Sequence, residues 1–378
     1  MITLPPLSLY IHIPWCFKKC PYCDFNTYVT KNKIPEKEYI RHLILDLKKD
    51  INLTSNRIIN SIFIGGGTPS LFHYESINML LKEIKKCVYV SPSAEITIET
   101  NPKDIEYKKI LKYKEIGITR LSIGIQTFNE KKLHILSRDK EYIDIPNIKT
   151  IIHDIKFKNV NFDIMYGLPS QSLKNALSDL KTAISLNPHH ISWYQLTIEP
   201  NTIFYSKKLN LPNSENMWKI WKEGRKLLTQ SGYQQYEISS YAKKGYYCKH
   251  NINYWKYGDY VGIGCGAHGK LTQKNGSLIR VIKNKGVFDF INGKYINKIY
   301  KVKDQDKPFE YFMNTLRLFQ PTYRKNFVKY TFLKEKYIKK NIESAISQNY
   351  LQETLLTWKT TKKGKLFLNN LLEIFLHD

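Results

Sequence analysis

Cys16, Cys20 and Cys23, in the run Cys16-Phe17-Lys18-Lys19-Cys20-Pro21-Tyr22-Cys23, are the residues of this chain whose type and spacing most directly suggest chemistry. A C-x3-C-x2-C loop is compact enough to wrap three thiolates around one [4Fe-4S] cubane. Three ligands leave the fourth iron open, and an open coordination position marks a reactive centre rather than a structural one. A single zinc ion is the alternative; it needs a fourth His or Cys, and the local sequence offers only His12. The six cysteines, at 16, 20, 23, 87, 248 and 265, are too few and too unevenly spread to staple 378 residues with disulfides. In a reducing compartment their clustering reads as metal or iron–sulfur ligation.

Such a loop must be positioned by a fold. The first two-thirds of the chain alternate short apolar, β-branched runs with longer stretches of helical period, the signature of βα units building a parallel sheet. The spacing predicts strands at Leu7–Ile13, Ser61–Ile64, Glu95–Ile98, Arg120–Ile125, Asn159–Met165 and His190–Ile198, with helices such as Ser76–Val88, Lys103–Ile116, Ile143–Ile155 and Leu173–Leu186 between them. Six units fit either an open doubly wound sheet or an incomplete barrel. In a barrel the chemistry gathers at the C-terminal ends of several strands at once. Here the cysteine loop follows the first strand, Gly65-Gly66-Gly67-Thr68-Pro69 the second, Glu99-Thr100-Asn101-Pro102 the third and Gln126 the fourth. Asp163 lies in the fifth, just before Gly167-Leu168-Pro169, and Gln195 to Pro200 close the sixth. The expected fold is therefore α/β, an incomplete (β/α)6 barrel with a small, mainly helical C-terminal domain.

Beyond about Ser240 the pattern changes. Tyr241–Gly269, rich in Gly, Tyr and His, reads as an ordered loop region, and helical spacing returns in Phe309–Phe319, Lys334–Ile346 and Lys365–Phe375. The expected organisation is a barrel over 1–240, a connecting region over 241–300 and a helical domain over 301–378.

At 42% apolar and 13% aromatic residues the chain can bury a sizeable core. No apolar run approaches the roughly 18–20 residues that cross a bilayer, and the start lacks a basic stretch followed by an apolar signal core. The expected location is the cytoplasm, with a peripheral contact to a membrane surface left open. A formal charge of +26 suggests nucleic acid as a partner, but only eight of the 59 basic residues are Arg, and Lys travels everywhere with Asn, Ile and Tyr. A phosphate-gripping surface would use more of the bidentate guanidinium fork, and no basic block reaches the length of a basic tail. No nucleic-acid partner is expected.

The cysteine spacing resembles the defining motif of the radical S-adenosylmethionine (SAM) superfamily. In that superfamily the open iron chelates the amino and carboxylate groups of SAM, and the cofactor supplies the radical chemistry while the fold supplies position. Closer phrases are Ser8-Leu9-Tyr10-Ile11-His12-Ile13-Pro14-Trp15-Cys16, Ile62-Phe63-Ile64-Gly65-Gly66-Gly67-Thr68-Pro69-Ser70 and Arg120-Leu121-Ser122-Ile123-Gly124-Ile125-Gln126-Thr127-Phe128. With Asp163-Ile164-Met165-Tyr166-Gly167-Leu168-Pro169 and Tyr194-Gln195-Leu196-Thr197-Ile198-Glu199-Pro200, they resemble oxygen-independent coproporphyrinogen III oxidase and its paralogue, the radical SAM heme chaperone. The resemblance implies SAM contacts at Tyr10, Tyr22, Gly66, Gly67, Thr68, Glu99, Gln126, Arg138 and Asp163. These types suit the ligand. Glycines let backbone N–H groups approach its methionyl end, and the polar side chains offer acceptors for an ammonium and hydroxyls and a cation for a carboxylate. Tyr22 could stack on adenine or shield the cluster from water.

The oxidase differs from this chain in having a longer segment before the first barrel strand and a further cysteine two residues after the motif, where this chain has Phe25. Tyr246-Tyr247-Cys248-Lys249-His250-Asn251-Ile252-Asn253-Tyr254-Trp255 resembles instead the His-Asn-x-x-Tyr-Trp signature of the chaperone branch. That makes His250 a candidate heme ligand, with Cys248 as an alternative, while Cys87 and Cys265 read as small buried residues. The expectation is a protein that binds heme, SAM and a [4Fe-4S] cluster and passes heme to acceptor hemoproteins such as those of the respiratory chain. Decarboxylation of coproporphyrinogen III is the competing activity. A radical SAM RNA-modifying enzyme would need an RNA-binding appendage or a second cluster, and neither is legible. A monomer and a cluster-dependent homodimer both remain open.

Overall fold

The computed structural model describes residues 3–138 and 143–376. Its centre is six parallel strands in chain order: β1 (Leu7–Ile13), β2 (Ile59–Gly66), β3 (Val90–Thr100), β4 (Arg120–Gln126), β5 (Asn159–Tyr166) and β6 (His190–Gln195). Both faces are covered, so β1, β4 and β5 are buried along almost their whole length. That is why they read as continuous apolar runs rather than alternating ones. The connecting helices present one apolar stripe each. In α2 (Tyr74–Cys87), Ile77, Leu80, Leu81 and Ile84 are buried at the i, i+3, i+4, i+7 spacing of a single face. Helix α5 (Leu173–Ser185) starts at a capping box in which Ser172 and Asn175 satisfy each other's backbone N–H groups.

The sheet does not close. Six further strands extend its two edges: β7 (Gln234–Glu237), β8 (Ser240–Ala242), β9 (Asp259–Ile263), β10 (His268–Thr272), β11 (Leu278–Lys283) and β12 (Ile296–Lys301). The order is β12-β11-β10-β9-β1-β2-β3-β4-β5-β6-β8-β7. The parallel part is thus an incomplete barrel, with β9 running parallel to β1 and the outer strands antiparallel.

This corrects one expectation. Tyr241–Gly269 is not a loop region: it carries helix α7 (Lys249–Trp255), β9 and the start of β10. Glycines hid the strands. A Cβ at Gly262 would collide with the backbone of His268, so the tight β9–β10 approach demands the residue type that breaks the strand pattern.

The last part of the chain packs around a second apolar cluster, which includes Tyr311, Phe312, Phe327, Trp358, Leu371 and Phe375 and takes in Tyr257 and Leu278 from the sheet region. It is mainly helical, as expected, but the predicted helices are cut shorter. Lys334–Ile346 becomes a 3-10 turn followed by a helix at Lys339–Ser347, and Lys365–Phe375 contains Leu368–Glu373. A small antiparallel sheet of Thr322–Tyr323, Thr357–Thr360 and Leu351–Glu353 was not anticipated. Among the described residues, no helix is long and apolar enough to cross a membrane.

Candidate functional site

The cysteine loop leaves the C-terminal end of β1 and is held at both ends. Trp15–Cys16 pairs in parallel with Tyr28–Val29, and the Thr30 N–H donates to the Cys16 carbonyl at 3.0 Å. Trp15 is buried edge-on against Tyr39, with ring centroids 4.7 Å apart. The Cys23 N–H donates to the Cys20 carbonyl at 3.1 Å, closing a turn that faces Cys20 and Cys23 into the same space as Cys16. All three are free thiols, and all three line a cavity of about 1010 Å³ at the C-terminal ends of the strands. Burial pushes the Cys16 and Cys23 thiols up.

Among the described residues, no three Cys, His, Asp or Glu side chains converge on a point that would suit one metal ion. A cubane holds each thiolate on a different iron, so thiols set apart around one cavity fit a cluster better than a single zinc. The one fourth ligand the local sequence offered is occupied. His12 Nε2 lies 2.8 Å from the Asn26 carbonyl, which can only accept, so Nδ1 accepts from the Tyr10 hydroxyl at 3.0 Å.

The SAM residues expected from the sequence line this cavity, Tyr10 excepted. The backbone N–H groups of the glycine run have partners within the chain. The Gly66 N–H donates to Glu99 Oε2 at 3.1 Å, the Gly67 N–H to the Ile13 carbonyl at 2.8 Å and the Thr68 N–H to the Trp15 carbonyl at 2.8 Å. The Gly67 and Thr68 N–H groups therefore stitch the end of β2 to the root of the cysteine loop, and the Gly66 N–H ties it to Glu99. Glycine is required by crowding: Gly66 has φ +119° and a Cβ there would lie 2.7 Å from the His12 ring, while one at Gly67 would strike the Trp15 carbonyl.

Beside this junction, burial and then the neighbouring Asp163 push the Glu99 carboxyl up to about 8. Asp163 accepts from Ser122 Oγ at 2.9 Å and from Asn161 Nδ2 at 2.9 Å. Gln126 ends β4 with φ +65°, a left-handed backbone rare for a non-glycine residue, where the β4–β5 register slips. Its Oε1 accepts from the Tyr194 hydroxyl at 2.8 Å. Arg138 donates from Nε to Cys20 Sγ at 3.4 Å and from Nη1 to the Gly124 carbonyl at 2.7 Å, linking the loop to β4. Tyr22 packs against Phe204, 6.3 Å between centroids.

The His-Asn-x-x-Tyr-Trp segment forms α7, whose first turn is held by Glu95 Oε1 accepting from the Lys249 N–H at 2.8 Å. His250 does not reach the cavity. It is 8% exposed, its Nδ1 lies 3.2 Å from Ser61 Oγ and its ring packs on Phe63. Burial, then Arg120, push its imidazole down to about 3. Cys248 is fully buried, donates to Glu95 at 3.6 Å and is pushed up to about 12 by burial. It is Asn251 and Trp255, four residues apart on the other face of α7, that line the cavity. Cys265 is buried as expected, while Cys87 is only half-buried.

The chain matches the radical SAM superfamily over residues 10–183, from β1 into α5. It is 57% identical over 380 residues to heme chaperone HemW of Buchnera aphidicola subsp. Schizaphis graminum, covering 100% of both chains. The chain belongs to the HemW family of radical SAM proteins. Other members include heme chaperone HemW of Escherichia coli K12, 47% identical over 100% of both chains, and that of Bacillus subtilis, 38% identical over 69% of this chain and 70% of the relative. Coproporphyrinogen III oxidase (HemN) from Escherichia coli, described as a radical SAM enzyme, has a similar fold at a TM-score of 0.82 and 22% identity, covering 98% of this chain and 90% of that one.

Membership in the radical SAM superfamily implies a [4Fe-4S] cluster and SAM. The HemW-family chain also shows cavity residues that sequence reasoning did not single out: Ser122, Tyr194, Glu237 and Arg317. Tyr194 stands inside a quoted motif and carried a signal that went unused; Arg317 comes from the C-terminal part and carried none.

Proposed function

We propose that this chain is a heme chaperone, binding heme, SAM and a [4Fe-4S] cluster and delivering heme to acceptor hemoproteins such as those of the respiratory chain. The observation that carries the reading is identity of 47–57% along the whole length of relatives bearing that name. Cys16, Cys20 and Cys23 would hold the cluster, whose open iron supplies a binding position for SAM's amino and carboxylate groups. Around it Glu99 offers an acceptor for an ammonium, Arg138 a cation beside the cluster, and Asp163 and Gln126 acceptors for hydroxyls. Gly66, Gly67 and Thr68 keep the second strand against the loop, while Tyr10 orients His12 from behind.

His250, kept as a heme candidate, serves packing in the described conformation, and ligation through it requires α7 to turn. A cytoplasmic location, the division at about residues 240 and 300, and either a monomer or a cluster-dependent homodimer belong to the same reading.

The test is anaerobic reconstitution followed by heme titration and transfer to an apo-hemoprotein, with coproporphyrinogen III turnover measured in parallel. Stoichiometric heme uptake and transfer without decarboxylation supports the chaperone. Clear turnover would make this an oxidase. Cys20→Ser is expected to abolish the cluster's visible absorption while leaving the fold intact.

A further inference from the structure

The cavity does not end at the SAM residues. At its far side Glu237, at the end of β7, Trp255, at the end of α7, and Arg317, from the C-terminal part, meet. Arg317 is placed there by the backbone: Leu318 bridges to Glu237 and the Phe319 N–H donates to the Tyr236 carbonyl at 3.0 Å. Its guanidinium lies over the Trp255 ring, 4.4 Å from the centroid, and its Nη2 is 3.6 Å from Glu237 Oε2. Glu237 is 2% exposed, and its other oxygen accepts from the Ser239 N–H at 2.9 Å.

Three buried polar atoms here have no hydrogen-bond partner among the described residues: Trp255 Nε1, Arg317 Nε and Glu237 Oε2. Buried donors of this kind are rare in native proteins and call for an explanation. Glu237 faces one edge of the guanidinium and so orients it. The guanidinium Nε and the indole N–H are two unpartnered donors, closed off from solvent, in residues that line one cavity, and a carboxylate reaching them would be received by both.

We propose that Arg317 and Trp255 form a subsite for a carboxylate of the cargo, with Glu237 as the positioning residue. The inference rests on the heme-binding reading, since heme carries two propionates that such a subsite would take. A free small carboxylic acid offers the same chemistry, and the test separates the two.

The cluster-reconstituted full chain is titrated with heme, with heme dimethyl ester, and with heme in the presence of excess succinate. Wild type is expected to bind heme on the order of 10-fold or more tighter than the ester, the scale of one charge-assisted hydrogen bond, with little effect of succinate. Arg317→Gln should erase that preference by weakening heme and not the ester. Trp255→Phe, which keeps the ring and loses the N–H, should narrow it. Equal binding of heme and ester by wild type, unchanged in Arg317→Gln, overturns the subsite and leaves the chaperone reading standing. Strong competition by succinate at unchanged ester affinity assigns the site to free acids and overturns the cargo role. Failure of wild type to bind either porphyrin overturns both readings together.

Discussion

Glu99 illustrates what a single carboxyl does in this cavity. Its folded value of about 8 lies above the ordinary carboxylate range because of burial and then Asp163. Between about pH 4.5 and pH 8 the folded chain therefore holds a proton that the unfolded chain has released, so this group's contribution to stability falls as pH rises. The slope is at most ~1.4 kcal/mol per pH unit, and denaturant midpoints of the metal-free chain across that range should show it, flattened in Glu99→Gln. An ammonium placed beside Glu99 would favour the ionised form, so SAM affinity is expected to rise with pH toward 8 and to lose that dependence in the same variant. At Gly67, an added methyl meets the Trp15 carbonyl, which cannot yield without moving the cysteine loop. Gly67→Ala should cost about 1–3 kcal/mol and lower iron content after reconstitution; full iron retention would mean the loop tolerates displacement.

Among the elements, the parallel strands were the most legible in the sequence, and β1 ends where its pattern said it would. Burial on both faces leaves an unbroken apolar run followed by a turn residue, and such runs carry their own boundaries. The site was legible for the same reason, because each strand end adds one polar or glycine residue to a common rim. β9 and β10 were missed because close backbone approach selects glycine, which reads as loop. Helix α7 posed a different difficulty: a motif names residue types, but helical phase decides which of them face the cavity. His250 and Trp255 stand on opposite sides, so the imidazole became core and the indole became lining. The buried neutral His250, with a folded value near 3, binds no proton where the unfolded chain does. Its contribution is present above about pH 6.5 and is lost as pH falls below it. His190, also depressed by burial and then Arg120, acts in the same direction. His250→Gln should thus shift the acid unfolding midpoint to lower pH if the amide keeps the Ser61 contact, and a midpoint unmoved would remove His250 from the acid transition.

At the scale of the whole molecule, two large apolar clusters stand beside a small third one around Met165, Leu168 and Phe204. Of the large two, one lies between the sheet and its helices, and the other surrounds Phe312 and Trp358. Trp358 is 1% exposed, and Trp358→Ala is expected to cost about 3–5 kcal/mol, read as early proteolysis of the last 70 or so residues; cleavage beginning instead within the barrel would show that the two clusters unfold as one. The incomplete barrel gives this division a consequence. Because the sheet stays open, the cavity wall is completed by Arg317, which is contributed from outside the barrel. A ligand that touches both Arg317 and the strand ends would then draw on both large apolar clusters at once and add its own binding free energy to the contact between them. On the proposed function, loading would tighten the last part of the chain against the barrel, and an acceptor that loosens it would lower the affinity for the cargo without touching it.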